Sequence, residues 1–459
     1  MRVATINNSM ISKGQMRMEG KFFLNETSLL CMPLERNVDK CVTLETVADV
    51  MNPPVFKRQF CSPTERAVQY FQSSDVNMAS ESSSVFVYKP QAERIRAIVH
   101  KGDILVTGFG TIGNTRLVSK HQDGVCYANN VARIRSNGEV LNGYIYAFMT
   151  SKYGSAQLNK NASGSVVRYI EAPGIKKVLI PNTRVSFQQE VDDLIQESAR
   201  LREEATRLLE TAKKLLSDYI NNDFASISGC VTATRNIQDI RNSLQCRLDP
   251  PALMNNSVLA FEQIKERCVK LGSCNVSIWY PGMFKRAYVK NGLPYMQGSS
   301  VFEVNPFVRC AHLAKSRTPK LDELWLKEDL ILITCAGSCG QVKLITKEYE
   351  DKNAIGSPDI IRIKSKDNLY TSGYLFTYLQ IPIVQDYMQS FKYGSVIERF
   401  DALRTESIPV VKPTQELSDE ITDLIKQYKD CTYRAFCAEE KAISMVEEEI
   451  ESWTTSKKN

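Results

Sequence analysis

Histidine is scarce in this chain. His100, His121 and His312 are the only three in 459 residues. A zinc site would have to recruit its ligands mainly from thirteen cysteines. No two of these form a CxxC pair; Cys335 and Cys339 stand four apart, Cys268 and Cys274 six apart. Most are expected to be small core residues in a reducing compartment, and no metal site is expected. There is no apolar run long enough to span a bilayer and no positive-then-apolar leader, so a cytoplasmic protein without a membrane partner is expected. Neither a P-loop nor a Ser/His/Asp set nor a paired-carboxylate arrangement is found, so no catalytic residues are assigned. The formal net charge of +6 is mildly basic, compatible with a nucleic-acid partner without requiring one.

What is present is a helical pattern of unusual regularity. Val191, Leu194, Ser198, Leu201, Ala205, Leu208, Ala212, Leu215 and Tyr219 alternate in steps of three and four, the seam of a coiled-coil helix. Ser186 and Gln189 are spaced as a capping box, with Glu190, Asp192 and Asp193 where the helix dipole favours acid. So narrow a seam needs a partner. Near the end of the chain Leu417, Ile421, Leu424, Tyr428, Cys431, Ala435, Ala438, Ala442 and Met445 keep the same phase, and Asp193-Leu194-Ile195 returns as Asp423-Leu424-Ile425. The two helices are expected to pair through Val191, Leu194, Leu201, Leu208 and Leu215 against Ile421, Leu424, Tyr428, Ala435 and Ala442.

The intervening sequence repeats as well. Arg17-Met18-Glu19 is echoed by Arg247-Leu248-Asp249, and Phe56-Lys57-Arg58 by Phe284-Lys285-Arg286. Tyr70-Phe71-Gln72 is echoed by Tyr295-Met296-Gln297, and Lys101-Gly102-Asp103-Ile104-Leu105 by Lys327-Glu328-Asp329-Leu330-Ile331. Gly110 and Gly113 match Gly337 and Gly340; Gly143-Tyr144 matches Gly373-Tyr374. Gly164-Ser165-Val166-Val167 matches Gly394-Ser395-Val396-Ile397, and Ile180-Pro181 matches Ile408-Pro409. These pairs keep their order at separations between 225 and 230 residues, which marks a duplication. The expected fold is α/β, of mixed α+β kind: two pseudo-repeated globular domains joined by two long antiparallel coiled-coil helices. The boundaries are 1–186 for the first domain, 187–222 for the central helix, 223–412 for a polar connector and the second domain, and 413–455 for the last helix. Within the domains, Asp103–Thr107, Asp329–Thr334, Val131–Ile134 and Ile360–Ile363 read as strands. Leu141–Leu158 and Ser372–Met388 read as helical.

Two motifs look catalytic. Gly108-Phe109-Gly110-Thr111-Ile112-Gly113 has dinucleotide-fold spacing, but that fold needs a helix to start there, and Asn114–Val118 reads as a strand. The second copy has Cys335 in place of Gly108. Asn52-Pro53-Pro54-Val55-Phe56 resembles the Asn-Pro-Pro-aromatic motif of amino-methyltransferases, with the aromatic displaced by one position and no cofactor loop upstream. A turn is the better account of each.

A helix of about 35 residues spans roughly 50 Å, and duplex DNA repeats about every 34–36 Å, so two linked domains could face two segments of one duplex. In its order of domain, helix, domain, helix the chain resembles the specificity subunits of type I restriction–modification systems. The residues carrying the resemblance are Tyr70–Val76, Lys101–Gly113, Ser163–Val167, the Ile180-Pro181 strand and their second-copy counterparts. That resemblance implies a non-catalytic subunit with two target recognition domains, each reading half of a split double-stranded DNA sequence. Its paired helices would set the gap and dock two DNA methyltransferase subunits, with restriction/translocase subunits joining the larger complex. It implies no cofactor in this chain; S-adenosylmethionine would belong to the methyltransferase partners. A prokaryotic cytoplasm follows.

Base edges are read by side chains with paired donors and acceptors, while Lys, Arg and backbone amides hold phosphates. In the first domain the candidates are Lys57, Arg58, Gln72, Ser73, Thr111, Asn114, Asn129, Asn130, Ser165 and Arg168. In the second they are Lys285, Arg286, Gln297, Ser299, Ser338, Gln341, Lys392 and Ser395. The two Lys-Arg pairs are assigned to phosphate. The competing expectations are a duplicated coiled-coil scaffold that binds protein, and a specificity protein of a related defence system.

Overall fold

A computed structural model of the chain describes residues 25–164, 168–221, 236–242, 255–337, 339–394, 396 and 398–455. The chain divides into two compact units, Met1–Glu203 with Arg434–Asn459, and Glu204–Tyr433. The division falls inside the long helices.

In the first unit, helix α1 (Glu26–Arg36) leads into strands β1 (Cys41–Thr43), β2 (Ala48–Met51), β3 (Ala67–Phe71), β4 (Phe86–Tyr88), β5 (Ile104–Thr107), β6 (Thr115–Leu117), β7 (Cys126–Tyr127) and β8 (Val131–Ser136). Then come α2 (Asn142–Thr150), α3 (Lys152–Asn161), β9 (Leu179–Pro181) and the long helix α4 (Val185–Asn221). Strands order as β2-β8-β5-β6, β4-β3-β7 and β1-β9. Both faces of the first sheet are covered, so β5 is buried along its whole length. Ile104 and Val106 face α2 through Tyr144, Ile145 and Phe148. Leu105 faces the second sheet, where Phe71 stacks on Tyr127. Val191 and Ile195 of α4 close the same core.

The second unit holds α5 (Asn256–Gln263), β10 (Cys268–Lys270), β11 (Val276–Trp279), β12 (Tyr288–Val289), β13 (Leu293–Met296), β14 (Ala311–Leu313), β15 (Ile331–Thr334), β16 (Val342–Leu344), β17 (Ile355–Gly356) and β18 (Ile360–Ser365). Helices α6 (Ser372–Tyr378) and α7 (Pro382–Ser390), strand β19 (Pro409–Val411) and the 41-residue helix α8 (Gln415–Thr455) follow. Its strand orders are β11-β18-β15-β16, β12-β14-β13-β17 and β10-β19. Strand for strand this is the first unit again. The additional β12 is present in the first unit as a single bridge, Phe60 with Val87. The duplication is therefore structural as well as textual.

Strand register corrects two of the sequence pairings. Ile104 pairs with Ile134 and Leu117, as Ile331 does with Ile363 and Leu344. Asp103 therefore corresponds to Leu330, and the match to Asp329 is one residue out. Likewise Cys41 faces Pro181 and Cys268 faces Val411, so Ile180-Pro181 corresponds to Val410-Val411, not Ile408-Pro409. Side-chain identity slid along a conserved backbone. The expected helices also break: Ser151 separates α2 from α3 and accepts from Gly154 N, while Pro382 opens α7 anew.

Helix α4 begins at Val185, one residue before the expected cap, so Ser186 lies inside the first turn. In the first unit Ser198 Oγ of α4 donates to Ala435 O of α8 (2.8 Å), which sets residues 185–203 beside 434–455. In the second unit Ala212, Leu216 and Ile220 share a core with Ile421 and Ile425. The start of one helix thus meets the end of the other. The buried face does not keep the strict seam. Val191, Leu201, Leu208, Ile421, Ala435 and Ala442 are buried, but Ile195, Leu216 and Ile425 are buried in place of Leu194, Leu215 and Leu424. Tyr428 is half-buried. A straight helix of 3.6 residues per turn drifts off a heptad, and here the drift turns each helix end toward its globular core. Gly143 shows how close that approach is. Its amide donates to Asp192 Oδ1 (2.6 Å), and a Cβ would lie 3.0 Å from the Asp192 Cα.

Burial pushes the Cys31, Cys41, Cys126 and Cys274 thiols up to about 12. Among the described residues no helix is long and apolar enough to cross a membrane, and no group of three His, Cys, Asp or Glu could hold a metal ion.

Candidate nucleic-acid interface

Strands β2 and β5 finish, and β6 and β8 begin, at one end of the first unit's main sheet. Turns gather there because their backbone groups pair with one another. Gly108 N donates to Asn130 O (2.9 Å), and Ile170 N donates to Gly108 O (2.8 Å). Asn52 Nδ2 donates to Asn129 O (3.2 Å), while its Oδ1 accepts from Ala172 N (2.8 Å). The amide of the Asn-Pro-Pro segment is thus occupied in pinning two loops. Ala128 N donates to Phe71 O (3.0 Å), which brings the turn after β3 alongside.

The glycine segment is a strand–turn–strand. Thr107 N donates to Asn114 O (2.9 Å), Gly113 N to Thr107 O (2.9 Å) and Asn114 N to Thr107 Oγ1 (2.9 Å). No helix opens on it. The second copy repeats each bond: Thr334 N to Gln341 O (3.1 Å), Gly340 N to Thr334 O (2.9 Å) and Gln341 N to Thr334 Oγ1 (3.0 Å). Gly110 and Gly337 both stand at φ 73°, Gly113 and Gly340 at 83° and 85°. Only glycine takes that backbone without strain. The two cysteines of the second segment leave the turn unchanged: Cys335 O accepts from Phe400 N (2.9 Å), as Gly108 O does from Ile170.

Onto this frame the candidates fall as follows. Gln72 and Ser73 form the turn after β3; Gln72 N donates to Asp75 Oδ2 (2.7 Å). Gln297 and Ser299 hold the same turn after β13, with Ser300 Oγ in the carboxylate's place (2.8 Å). Both glutamines are exposed. Thr111 is exposed in the glycine turn; Asn114 and its counterpart Gln341 are half-buried at the turn's exit. Asn129 and Asn130 link β7 to β8, and the Asn130 Oδ1 is buried with no hydrogen-bond partner among the described residues. The Arg168 guanidinium donates to Asn159 O, and Lys392 pairs with Glu398 (2.9 Å). Ser165, Ser338 and Ser395 lie outside the described residues.

Lys57 and Lys285 are exposed, but the arginines beside them are held. Arg58 Nε donates to Tyr70 Oη (2.5 Å) and its guanidinium lies 5.5 Å from that ring's centroid. Arg286 does the same with Tyr295 (2.6 and 5.7 Å), and also meets Asp359 (3.3 Å). Burial pushes the Tyr70 phenol up, and the hydrogen bond from Arg286 to Tyr295 holds that guanidinium above its ordinary value. Each clamp therefore holds a guanidinium one residue from an exposed ammonium group. Sequence reading singled out the arginines and the tyrosines separately; the contact between them, 12 residues apart in one copy and 9 in the other, was not legible. It also missed Phe109 stacked on Tyr169 (5.4 Å), where the second copy has Ala336 and Arg399.

No protein-family model matches this chain, and no curated protein matches it. Among solved structures it is similar to the S subunit of a type I restriction–modification system from M. genitalium, at 14% identity and TM-score 0.33, over 90% of this chain and 92% of that one. It is also similar to the HsdS subunit from Thermoanaerobacter tengcongensis, at 15% identity and TM-score 0.27, over 90% and 95%. The type IIG restriction endonuclease BpuSI is similar at 8% identity and TM-score 0.30, over 41% of this chain and 30% of that one.

Proposed function

We propose that this chain is a non-catalytic DNA-specificity subunit whose two units each read one half of a split duplex sequence. One observation supports the reading above all. Two units of the same strand order present different side chains from the same turns: Asn114 against Gln341, Phe109 against Ala336, Tyr169 against Arg399. A frame kept constant while its outward groups change is what two readers of unlike half-sites require. Asn and Gln suit adenine, which offers an adjacent acceptor and donor in the major groove. Lys57 and Lys285, beside the clamped arginines, suit phosphates.

On this proposal DNA methyltransferase subunits dock on the paired helices and bring S-adenosylmethionine, and restriction/translocase subunits join them. The test is to map methylated bases in the source genome by long-read sequencing, with and without this chain. A split motif that vanishes with the chain supports the reading. Methylation that persists unchanged without it contradicts it.

A further inference from the structure

Single exposed apolar side chains are ordinary on a protein surface. The same two positions exposed in both units are not. Val55 and its counterpart Met283 are 87% and 63% exposed. Five residues on, Phe60 and its counterpart Tyr288 are 64% and 57% exposed. Each of these rings meets the clamp tyrosine edge-on, Phe60 at 6.2 Å from Tyr70 and Tyr288 at 6.4 Å from Tyr295. Between them stand Lys57-Arg58 and Lys285-Arg286. The segments leave β2 and β11 through Pro53-Pro54 and Pro281, whose fixed φ reduces the ordering cost of any contact made beyond them.

Resting on the DNA-reading proposal above, we infer that residues 55–60 and 283–288 are reading edges, with Val55 and Met283 packing against thymine C5-methyl groups in the major groove. The alternation of cation and apolar group decides the occupant. Lysine is depleted at protein–protein contacts, whereas a duplex offers phosphates for Lys57 and Lys285 beside the methyl groups of its major groove. Val55 is short and branched, so it fixes the position of its methyl partner closely. Met283 is unbranched and adapts, so the second unit tolerates more variation at that base.

The experiment uses the full chain together with methyltransferase. Preferred duplexes are selected from a random pool, and each thymine of the recovered half-sites is then replaced by deoxyuridine, which lacks only the methyl group. The expected loss is about fourfold at one thymine in each half-site, the transfer free energy of one such group. Val55→Ser should abolish that sensitivity in the first unit's half-site and leave the other intact; Met283→Ser should do the reverse. The untouched half-site within the same molecule reports that the variant is folded. Retained sequence preference with no deoxyuridine effect, or an effect surviving both substitutions, would overturn the inference alone. Absence of any sequence preference in the parent chain would overturn the DNA-reading proposal itself.

Discussion

At equivalent places on the long helices the two units solve one packing problem differently. In the first, Glu439 is fully buried and accepts from Tyr146 Oη (2.6 Å) and Arg202 Nη2 (2.9 Å). Burial works against the charge on Arg202, but Glu439 more than offsets it; burial, with Glu439 beside it, pushes the Tyr146 phenol well up. The counterparts 230 residues away are Leu209, Phe376 and Thr432. There Phe376 packs on Tyr428 at 5.8 Å, and Thr432 bonds its own helix at Tyr428 O (2.8 Å). A buried charge network demands one partner and one register, whereas an apolar contact accepts several. The fold tolerates either; the first unit trades tolerance for a fixed pairing.

The largest effect should come from breaking that network on one side only. Glu439→Leu leaves Arg202 without its carboxylate and should cost about 3 kcal/mol, read by urea denaturation with hydrogen exchange resolved over the two units. Adding Tyr146→Phe and Arg202→Thr imports the second unit's solution and should recover most of the loss. If the single and triple variants are equally unstable, the comparison fails. Next comes the helix contact at Gly143 and Gly373. An added Cβ meets the Asp192 backbone at 3.0 Å in the first and the Thr422 backbone at 3.3 Å in the second. Gly143→Ala should therefore cost about 2 kcal/mol and Gly373→Ala less, in the same denaturation experiment.

Effects on binding, not on stability, are expected at the turns that carry Asn114 and Gln341. Asn114→Ala and Gln341→Ala should each lose about 1–3 kcal/mol on one base pair, in different half-sites, measured by competition binding against single-base variants. Smallest in its sequence dependence is Lys57→Ala. It should weaken all duplexes about equally and reduce the salt slope by about 1. A change in base preference there would show that positioning and reading roles had been confused.

Much of this was legible in the sequence because it is local or periodic. The long helices follow from apolar spacing, the duplication from ordered echoes, and the strand–turn–strand at Gly108–Gly113 from the β-like residues after it. What failed was whatever depends on register or three-dimensional contact. Asp103 and Asp329 look alike, yet Asp103 corresponds to Leu330 and binds Arg135 through both oxygens (2.6 and 2.8 Å). Leu194 and Leu424 fit the heptad, yet the drift of a straight helix buries Ile195 and Ile425. The Arg–Tyr clamps join residues 12 and 9 apart whose contact no periodic pattern marks, and the Tyr146–Arg202–Glu439 network joins residues that no sequence window contains.

The central claim is that two equivalent frames read two separate half-sites. Selecting duplexes from a random pool with the full chain plus methyltransferase, for the parent, Gln72→Ala and Gln297→Ala, tests it directly. The account predicts a split motif in which Gln72→Ala relaxes one half and Gln297→Ala the other. Both substitutions relaxing the same half, or a motif with no second half, would contradict it.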